Sequence, residues 1–172
     1  MSPRAPVRAR AARVRLLVLD VDGVLTDGGL WYSASGEELK RFDVRDGLGL
    51  VVAQRAGLGL AVISGRKSAA AARRLAELGV SEVHLGVEDK GAALAALLDR
   101  LGVPAAAAAA MGDDLNDLPL FAGVGLALAP RDAAAEVRRK AHWVARRRGG
   151  QGAVREAVEW LLRARGAWPR AR

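Results

Sequence analysis

The sequence predicts a single-domain α/β protein with a doubly wound, mainly parallel sheet and a small β-hairpin insertion. Short apolar runs typical of buried strands alternate with helical segments, which is the pattern of a parallel sheet covered on both faces. A chain of 172 residues is long enough for one hydrophobic core. No internal repeat or linker divides it, so we expect one domain.

The first predicted strand is the apolar run of residues 14–19, which ends in the sequence DVDG at residues 20–23. A run of this length, in which Arg15 is the one polar residue, suits a strand that is buried on both faces. Residues 30–44 are expected to form a hairpin, because strand-forming residues flank the turn-type segment Ser33–Gly36. The hairpin is the one insertion in an otherwise regular alternation.

Asp46 is expected to cap the helix that follows the hairpin, and Gly57 is expected to end it. The alanine-rich segment 105–111 favours a helix by propensity, but it follows Pro104 and occupies the place of a strand. We therefore predict a buried strand there. The other predicted strands are 58–63, 83–87, 124–129 and 142–145, and the other predicted helices are 67–78, 91–101 and 151–165.

The ends of the chain are predicted to lie outside the folded domain. Residues 1–12 are rich in Arg and lack an apolar period, which favours a disordered tail, and residues 166–172 are expected to fray. The domain would then cover residues 13–165. Neither a signal-type segment nor an apolar run of the ~20 residues that span a bilayer is visible, so a cytoplasmic protein that does not enter the membrane is expected.

The net charge of +8 raises the question of nucleic-acid binding, but its distribution argues against that function. The basic residues concentrate in segments 1–15 and 138–172, whereas the middle of the chain carries more acids than bases. Aromatic residues are too sparse for a base-stacking surface. The absence of cysteine excludes disulfides and thiol catalysis.

Polar residues follow four of the predicted strands. They are Asp20 and Asp22, then Ser64, then Lys90, and finally Asp113, Asp114 and Asp117. Each has an ordinary explanation alone, as a turn, a surface lysine or a helix cap. In a parallel sheet, however, these strand ends meet at one edge. Carboxylates for a hard cation, with a hydroxyl and an ammonium for an anion, indicate Mg²⁺-dependent phosphoryl transfer.

The segments 20–26 (DVDGVLT) and 112–117 (GDDLND), together with Ser64 and Lys90, resemble in order the four motifs of the haloacid dehalogenase superfamily. The resemblance covers about residues 14–165 and implies a Rossmann-like fold. Because only a hairpin fits between the first motif and the next helix, it implies the type without a cap domain. Within the superfamily, residues 36–40, 44–47 and 149–156 are similar to the 3-deoxy-D-manno-octulosonate (Kdo) 8-phosphate phosphatases.

The resemblance implies a role for each motif residue. Asp20 would be the nucleophile, and Asp22 the acid and base that exchanges protons with the leaving oxygen and with water. Ser64 and Lys90, with backbone amides at Gly23 and Gly65, would hold the phosphoryl oxygens.

The same resemblance implies a Mg²⁺ cofactor. The carboxylates of Asp20 and Asp113 and the carbonyl of Asp22 would ligate the ion, and Asp114 and Asp117 would ligate it or support its ligands. The basic side chains that could bind a substrate carboxylate are Lys40, Arg45 and Arg66.

The implied enzyme is a phosphoric monoester hydrolase that releases Kdo and phosphate through a phosphoaspartate during lipopolysaccharide synthesis. It is expected to be a homotetramer in which a neighbour's hairpin covers the site. Two alternatives stay open, namely a phosphatase for sialic-type nonulosonate 9-phosphates and a noncatalytic oligomerisation domain. The chain departs from the family at residues 103–111 and in its Arg-rich N-terminal segment.

Overall fold

The computed structural model describes residues 4–169. Its main sheet has six parallel strands in the order β5-β4-β1-β6-β7-β8, and a separate antiparallel pair, β2-β3, forms the predicted hairpin. The strands are β1 (Leu16–Leu19), β2 (Trp31–Tyr32), β3 (Glu38–Leu39), β4 (Gly59–Ser64), β5 (Glu82–Leu85), β6 (Ala108–Met111), β7 (Leu126–Ala129) and β8 (Trp143–Val144). The doubly wound parallel fold is confirmed.

Helices connect the parallel strands and cover both faces of the sheet. They are α1 (Arg4–Ala12), α2 (Val44–Arg55), α3 (Ala69–Glu77), α4 (Lys90–Leu101), α5 (Leu118–Ala122), α6 (Ala135–Lys140) and α7 (Ala153–Ala164). Within residues 4–169, no helix is long and apolar enough to cross a membrane.

Side chains of β1 alternate between two apolar layers. Leu17 and Leu19 join the core with α2, α3 and α7, whereas Leu16 and Val18 join the core with α4, α5 and α6. All four are buried, as expected for a central strand of a doubly wound sheet. The sequence did not predict α5 and α6, because these two helices are shorter than the window in which a helical period can be recognised.

The alanine-rich segment forms a strand only in its second half. Residues Ala105–Ala107 make one 3₁₀ turn, and Ala108–Met111 then pair with β1 and β7. The alanines of this strand are fully buried, so their small side chains set how closely the flanking helices approach. Central position in the sheet overrides the helical propensity of alanine here.

Both predicted tails differ from the structure in their described parts. Residues 4–12 form helix α1, since Ala11 is fully buried and Val7 packs against the same core, and these contacts stabilise a segment that was expected to be disordered. Ala167 and Trp168 also pack on the core, and the Arg155 guanidinium lies 5.1 Å from the Trp168 ring centre. Residues 1–3 and 170–172 of the predicted tails lie outside the described residues.

The cap of α2 is Asp43 and not Asp46. The Asp43 carboxylate accepts a hydrogen bond from the amide of Arg45 at 2.8 Å. Asp46 lies in the first turn and is buried, and it accepts hydrogen bonds from the amides of Gly152 (3.1 Å) and Arg155 (2.7 Å). It therefore caps α7, whose own N-cap residue Gly152 has no side chain.

Candidate active site

A cleft of about 500 Å³ opens at the carboxyl ends of β1, β4 and β6. This is the edge at which ligands bind in open α/β sheets. The residues that line the cleft are Asp20, Asp22, Gly23, Gly28, Ser64, Gly65, Arg66, Asp113, Asp114, Leu115 and Asn116. Most of the predicted site residues are therefore together in one concave surface.

Lys90 lies beneath the cleft, where it pairs with two carboxylates. Its Nζ is 3.1 Å from Asp20 Oδ2 and 2.6 Å from Asp117 Oδ1. The side chain is only 3 % exposed, which a lysine tolerates only when it is paired. Burial alone would lower the pKa of Lys90, but Asp20 and Asp117 outweigh this and raise it. Lys90 is thus a fixed positive charge and not a solvated surface lysine.

Asp117 organises the loop after β6. Its Oδ2 accepts hydrogen bonds from the amides of Asp113 (2.8 Å) and Asp114 (3.3 Å), while its Oδ1 pairs with Lys90. A Cβ on Gly112 would lie 2.6 Å from Asp117 Cγ, so only glycine leaves room for this carboxylate. Because both oxygens of Asp117 already have partners, its geometry suits support of the site more than direct ligation.

Asp20, Asp113 and Asp117 form an acidic cluster, with one carboxylate oxygen from each within 4.8 Å of the others. Burial and repulsion by Asp117 and Asp20 raise the pKa of Asp113 to about 8. Burial and Asp117 also raise the pKa of Asp20 to about 6, against the opposing effect of Lys90. The cluster thus carries more negative charge than Lys90 neutralises.

The donor set of this cluster fits a divalent cation. Asp20 Oδ1 is buried and has no hydrogen-bond partner among the described residues. Gly23 faces the Asp113 carboxylate so closely that an added Cβ would lie 2.9 Å from Oδ1 and closer still to Oδ2. Two carboxylate oxygens and a backbone turn at close quarters are the hard oxygen ligands that Mg²⁺ takes from proteins.

Asp22 lies outside the acidic cluster and is held by cations instead. Its Oδ1 forms an ion pair with Lys40, whose side chain is fully buried, and its Oδ2 lies 3.5 Å from Arg66 Nε. Its position at the cleft keeps it available for proton transfer to a bound ester. Of the predicted carboxylate-binding residues, Arg66 alone lines the cleft, because Lys40 is buried behind Asp22.

Arg45 does not line the cleft that is formed by its own chain. Its guanidinium pairs with Asp43 at 2.6 Å and donates to the carbonyl of Gln151 at 3.3 Å. The Asp43 carboxylate raises the pKa of Arg45. The contact with Gln151 ties the start of α2 to the glycine-rich segment before α7. The structure thus separates Arg45 from Lys40 and Arg66.

Ser64 and Gly65 form the side of the cleft next to Lys90. Ser64 ends β4 and is 2 % exposed, and a Cβ on Gly65 would lie 3.9 Å from Lys90 Cε and 4.0 Å from Asn116 Nδ2. A hydroxyl, a backbone amide and an ammonium therefore converge here, which suits the oxygens of a phosphoryl group. Asp114 also lines the cleft, and its Oδ1 accepts a hydrogen bond from the amide of Leu115 at 2.7 Å.

The glycine-rich segment before α7 packs directly on the loop that carries Asp20 and Asp22. The amide of Gly150 donates to the carbonyl of Val24 at 3.0 Å, and a Cβ on Gly149 would overlap the carbonyl of Gly23. A side chain at either glycine would push the two loops apart. This segment therefore supports the turn at Gly23, which in turn faces Asp113.

Sequence reasoning did not assign a role to Glu38, Leu115 or Asn116. Glu38 joins Lys40 and Arg66 behind Asp22, and Leu115 and Asn116 line the cleft. Glu38 and Lys40 lie two residues apart, on either side of the exposed Leu39, so the period of two in the predicted extended segment could have identified Glu38. Asn116 lies within the quoted motif of residues 112–117.

Comparison with known families and proteins agrees with this geometry. The profile of a family described as haloacid dehalogenase-like hydrolase matches residues 83–156. The 3-deoxy-D-manno-octulosonate 8-phosphate phosphatase of Escherichia coli (strain B / BL21-DE3) is 43% identical over 162 residues, which cover 94% of this chain and 86% of that protein. The enzyme of the same name from Haemophilus influenzae is 41% identical over 160 residues, which cover 93% and 89%.

Solved structures of similar proteins share the fold over almost the whole chain. The phosphatase of that name from Yersinia pestis superposes with a TM-score of 0.93 at 41% identity, covering 95% of this chain and 88% of that one. The one from Moraxella catarrhalis, in complex with a magnesium ion, a phosphate ion and Kdo, superposes with a TM-score of 0.91 at 38% identity, covering 94% and 92%.

Proposed function

Because this chain belongs to the 3-deoxy-D-manno-octulosonate 8-phosphate phosphatases of the haloacid dehalogenase-like hydrolases, we propose that it hydrolyses Kdo 8-phosphate to Kdo and phosphate with the help of Mg²⁺. The observation that supports this most is the pairing, in one cleft, of an acidic cluster at Asp20 and Asp113 with the buried cation Lys90. Such a cleft can neutralise a phosphate dianion and hold a divalent cation beside it.

In the proposed reaction, a carboxylate oxygen of Asp20 attacks phosphorus, and the bond from phosphorus to the sugar oxygen breaks. Asp22 gives its proton to that oxygen, so that the sugar leaves as an alcohol. A water molecule then loses a proton to Asp22 and attacks the phosphoaspartate, which restores Asp20 and releases phosphate. Ser64 and Lys90 bind the phosphoryl oxygens throughout.

We assign the Mg²⁺ site to the carboxylates of Asp20 and Asp113 and the carbonyl of Asp22. When bound, the ion offsets the charge of the carboxylates and makes phosphorus more electrophilic. Asp117 holds the Asp113 loop and Lys90 in place through its two oxygens. Arg66, at the mouth of the cleft, is the side chain best placed for the substrate carboxylate.

We propose that the protein forms a homotetramer through its hairpin. Trp31, Tyr32 and Leu39 are more than half exposed, and an apolar surface of this kind is commonly covered by another subunit. A neighbour's hairpin over the cleft would also supply the contacts that an uncapped site lacks. Shortening the hairpin at residues 33–37 is expected to weaken the assembly in sedimentation and to lower activity on Kdo 8-phosphate more than on p-nitrophenyl phosphate. We also propose that the protein acts in the cytoplasm and takes part in lipopolysaccharide synthesis.

A phosphate-release panel tests the substrate. The purified protein with Mg²⁺ is given Kdo 8-phosphate, a nonulosonate 9-phosphate, hexose 6-phosphates and p-nitrophenyl phosphate, with folded Asp20→Asn protein as the control. One charge-assisted contact to the sugar carboxylate contributes about 1.5–3 kcal/mol, so kcat/KM should favour Kdo 8-phosphate over hexose phosphates by about ten- to a hundredfold. A preference for the nonulosonate 9-phosphate would identify that ester as the substrate in place of Kdo 8-phosphate. Full activity of Asp20→Asn would refute the assignment of Asp20 as the nucleophile.

A further inference from the structure

Glu38 is a partly buried carboxylate near the cleft that has no role in the reaction proposed above. It lies on β3 of the hairpin, and its side chain is only 15 % exposed although the neighbouring Leu39 is 52 % exposed. Its carboxylate accepts a hydrogen bond from Ser68 at 2.5 Å and from Arg66 at 2.9 Å, and it lies 3.7 Å from Lys40 Nζ.

Both cations that contact Glu38 also contact Asp22. Lys40 pairs with Asp22 Oδ1, and Arg66 Nε lies 3.5 Å from Asp22 Oδ2. Glu38 therefore faces Asp22 across two positive charges, and each cation is shared between the two carboxylates. Since Lys40 is fully buried, its alignment depends on these two anions.

We propose that Glu38 is a positioning residue that holds Lys40 and Arg66 on the two oxygens of Asp22 and so fixes the group that transfers the proton. The inference rests on the proposed function of this same cleft. The hairpin would then help to position Asp22 in addition to forming contacts between subunits. A pair of two-residue strands is only marginally stable alone, so the hairpin also depends on contacts such as the one between Glu38 and Ser68.

A purely structural role would have a different consequence. Ser68 already caps α3 through the amide of Ala71 at 3.2 Å, so the helix keeps its cap without Glu38. If Glu38 only anchored the hairpin, its loss would weaken binding of the sugar-acid ester, but the rate at which a bound ester loses its leaving group would stay unchanged for both esters. If it positions Asp22, its loss should slow only those esters whose leaving oxygen needs a proton.

Single-turnover measurements with Glu38→Gln separate these roles. Gln keeps the shape and an acceptor for Ser68 but removes the charge that holds Lys40 and Arg66. The rate of leaving-group release is measured with enzyme in excess and at saturating concentration, so that binding does not limit the rate, for a sugar-acid phosphate and for p-nitrophenyl phosphate, whose leaving group departs without protonation. We expect a loss of about tenfold with the sugar ester and less than twofold with the aryl ester.

Asp99, near the end of α4 that is farthest from Lys90, provides the matched control for removal of one carboxylate charge. It is exposed, and no side chain within residues 4–169 forms an ion pair with it, so Asp99→Asn should leave both rates unchanged. The conservative change Glu38→Asp retains the charge and should restore part of the lost rate. Equal loss with both esters, or no loss with either, would overturn the proposal.

The sugar ester in this test is the one that the wild-type protein hydrolyses fastest in the panel above, so failure of Kdo 8-phosphate as the substrate leaves the test intact. Thermal melting reports whether Glu38→Gln folds. If it does not, Lys40→Met removes the cation from Asp22 directly, and the proposal then requires the same selective loss with the sugar ester.

Discussion

Replacing Gly23 by alanine tests whether the close approach of Asp113 to the first loop builds the site. Gly23 has φ +80°, and a methyl group there would overlap the Asp113 carboxylate, lying 2.9 Å even from the farther oxygen Oδ1. The substitution Gly23→Ala therefore has two costs, one from the backbone conformation and one from displacement of a metal-binding side chain.

The two costs differ in what they affect. A left-handed backbone costs a non-glycine residue about 1–2 kcal/mol, which corresponds to about 2–8 °C in melting temperature for a domain of this size. Normal contact requires Asp113 to shift by about 1 Å, and a displacement of that size costs on the order of a hundredfold in activity, or about 2.7 kcal/mol in the barrier. We expect weaker Mg²⁺ binding as well.

Gly57→Ala is the matched control. Gly57 has φ +71°, and no atom lies within 4 Å of its added Cβ, so this variant carries the backbone cost without the collision. Melting temperature, Mg²⁺ affinity by calorimetry and kcat/KM are measured for both variants. Similar melting temperatures with activity lost only in Gly23→Ala would support the reasoning. Wild-type activity and Mg²⁺ affinity in Gly23→Ala would refute it.

Two further predictions concern stability. Because the pKa values of Asp20 and Asp113 are raised to about 6 and about 8, their protonated forms stabilise the metal-free fold at low pH, and this stability is lost as pH rises through those values. The melting temperature without metal should therefore fall between pH 5.5 and pH 8.5. Mg²⁺ should raise the melting temperature more at pH 8.5 than at pH 5.5, and Asp113→Asn should weaken the pH dependence. A melting temperature of the wild-type protein that does not change with pH would contradict this. Deleting residues 1–12 removes the buried contacts of Val7 and Ala11, so we expect a loss of about 2 kcal/mol in unfolding free energy by urea titration, and unchanged stability would show that α1 contributes nothing.

The placement of Asp20, Ser64, Lys90 and Asp113 could be predicted from the sequence. Each follows a short apolar run, and a parallel sheet brings the carboxyl ends of such runs to one edge whatever the details of packing. The hairpin and the strand at residues 108–111 could also be predicted, because the hydrophobic pattern of a segment and its place in the order of strands and helices can be read directly from the sequence.

Tertiary structure alone decided which partner each polar side chain took. Asp46 was expected to cap its own helix, but it caps α7 through the amide of Arg155, a residue 109 positions away. The cations Lys40 and Arg66 were expected to face substrate, and they first meet Asp22 and Glu38. The local sequence encodes the hydrophobic period of a helix or strand and the residues at which it ends. The neighbour of a carboxylate depends on how several elements pack, because a buried charge takes whichever partner the folded core brings within reach.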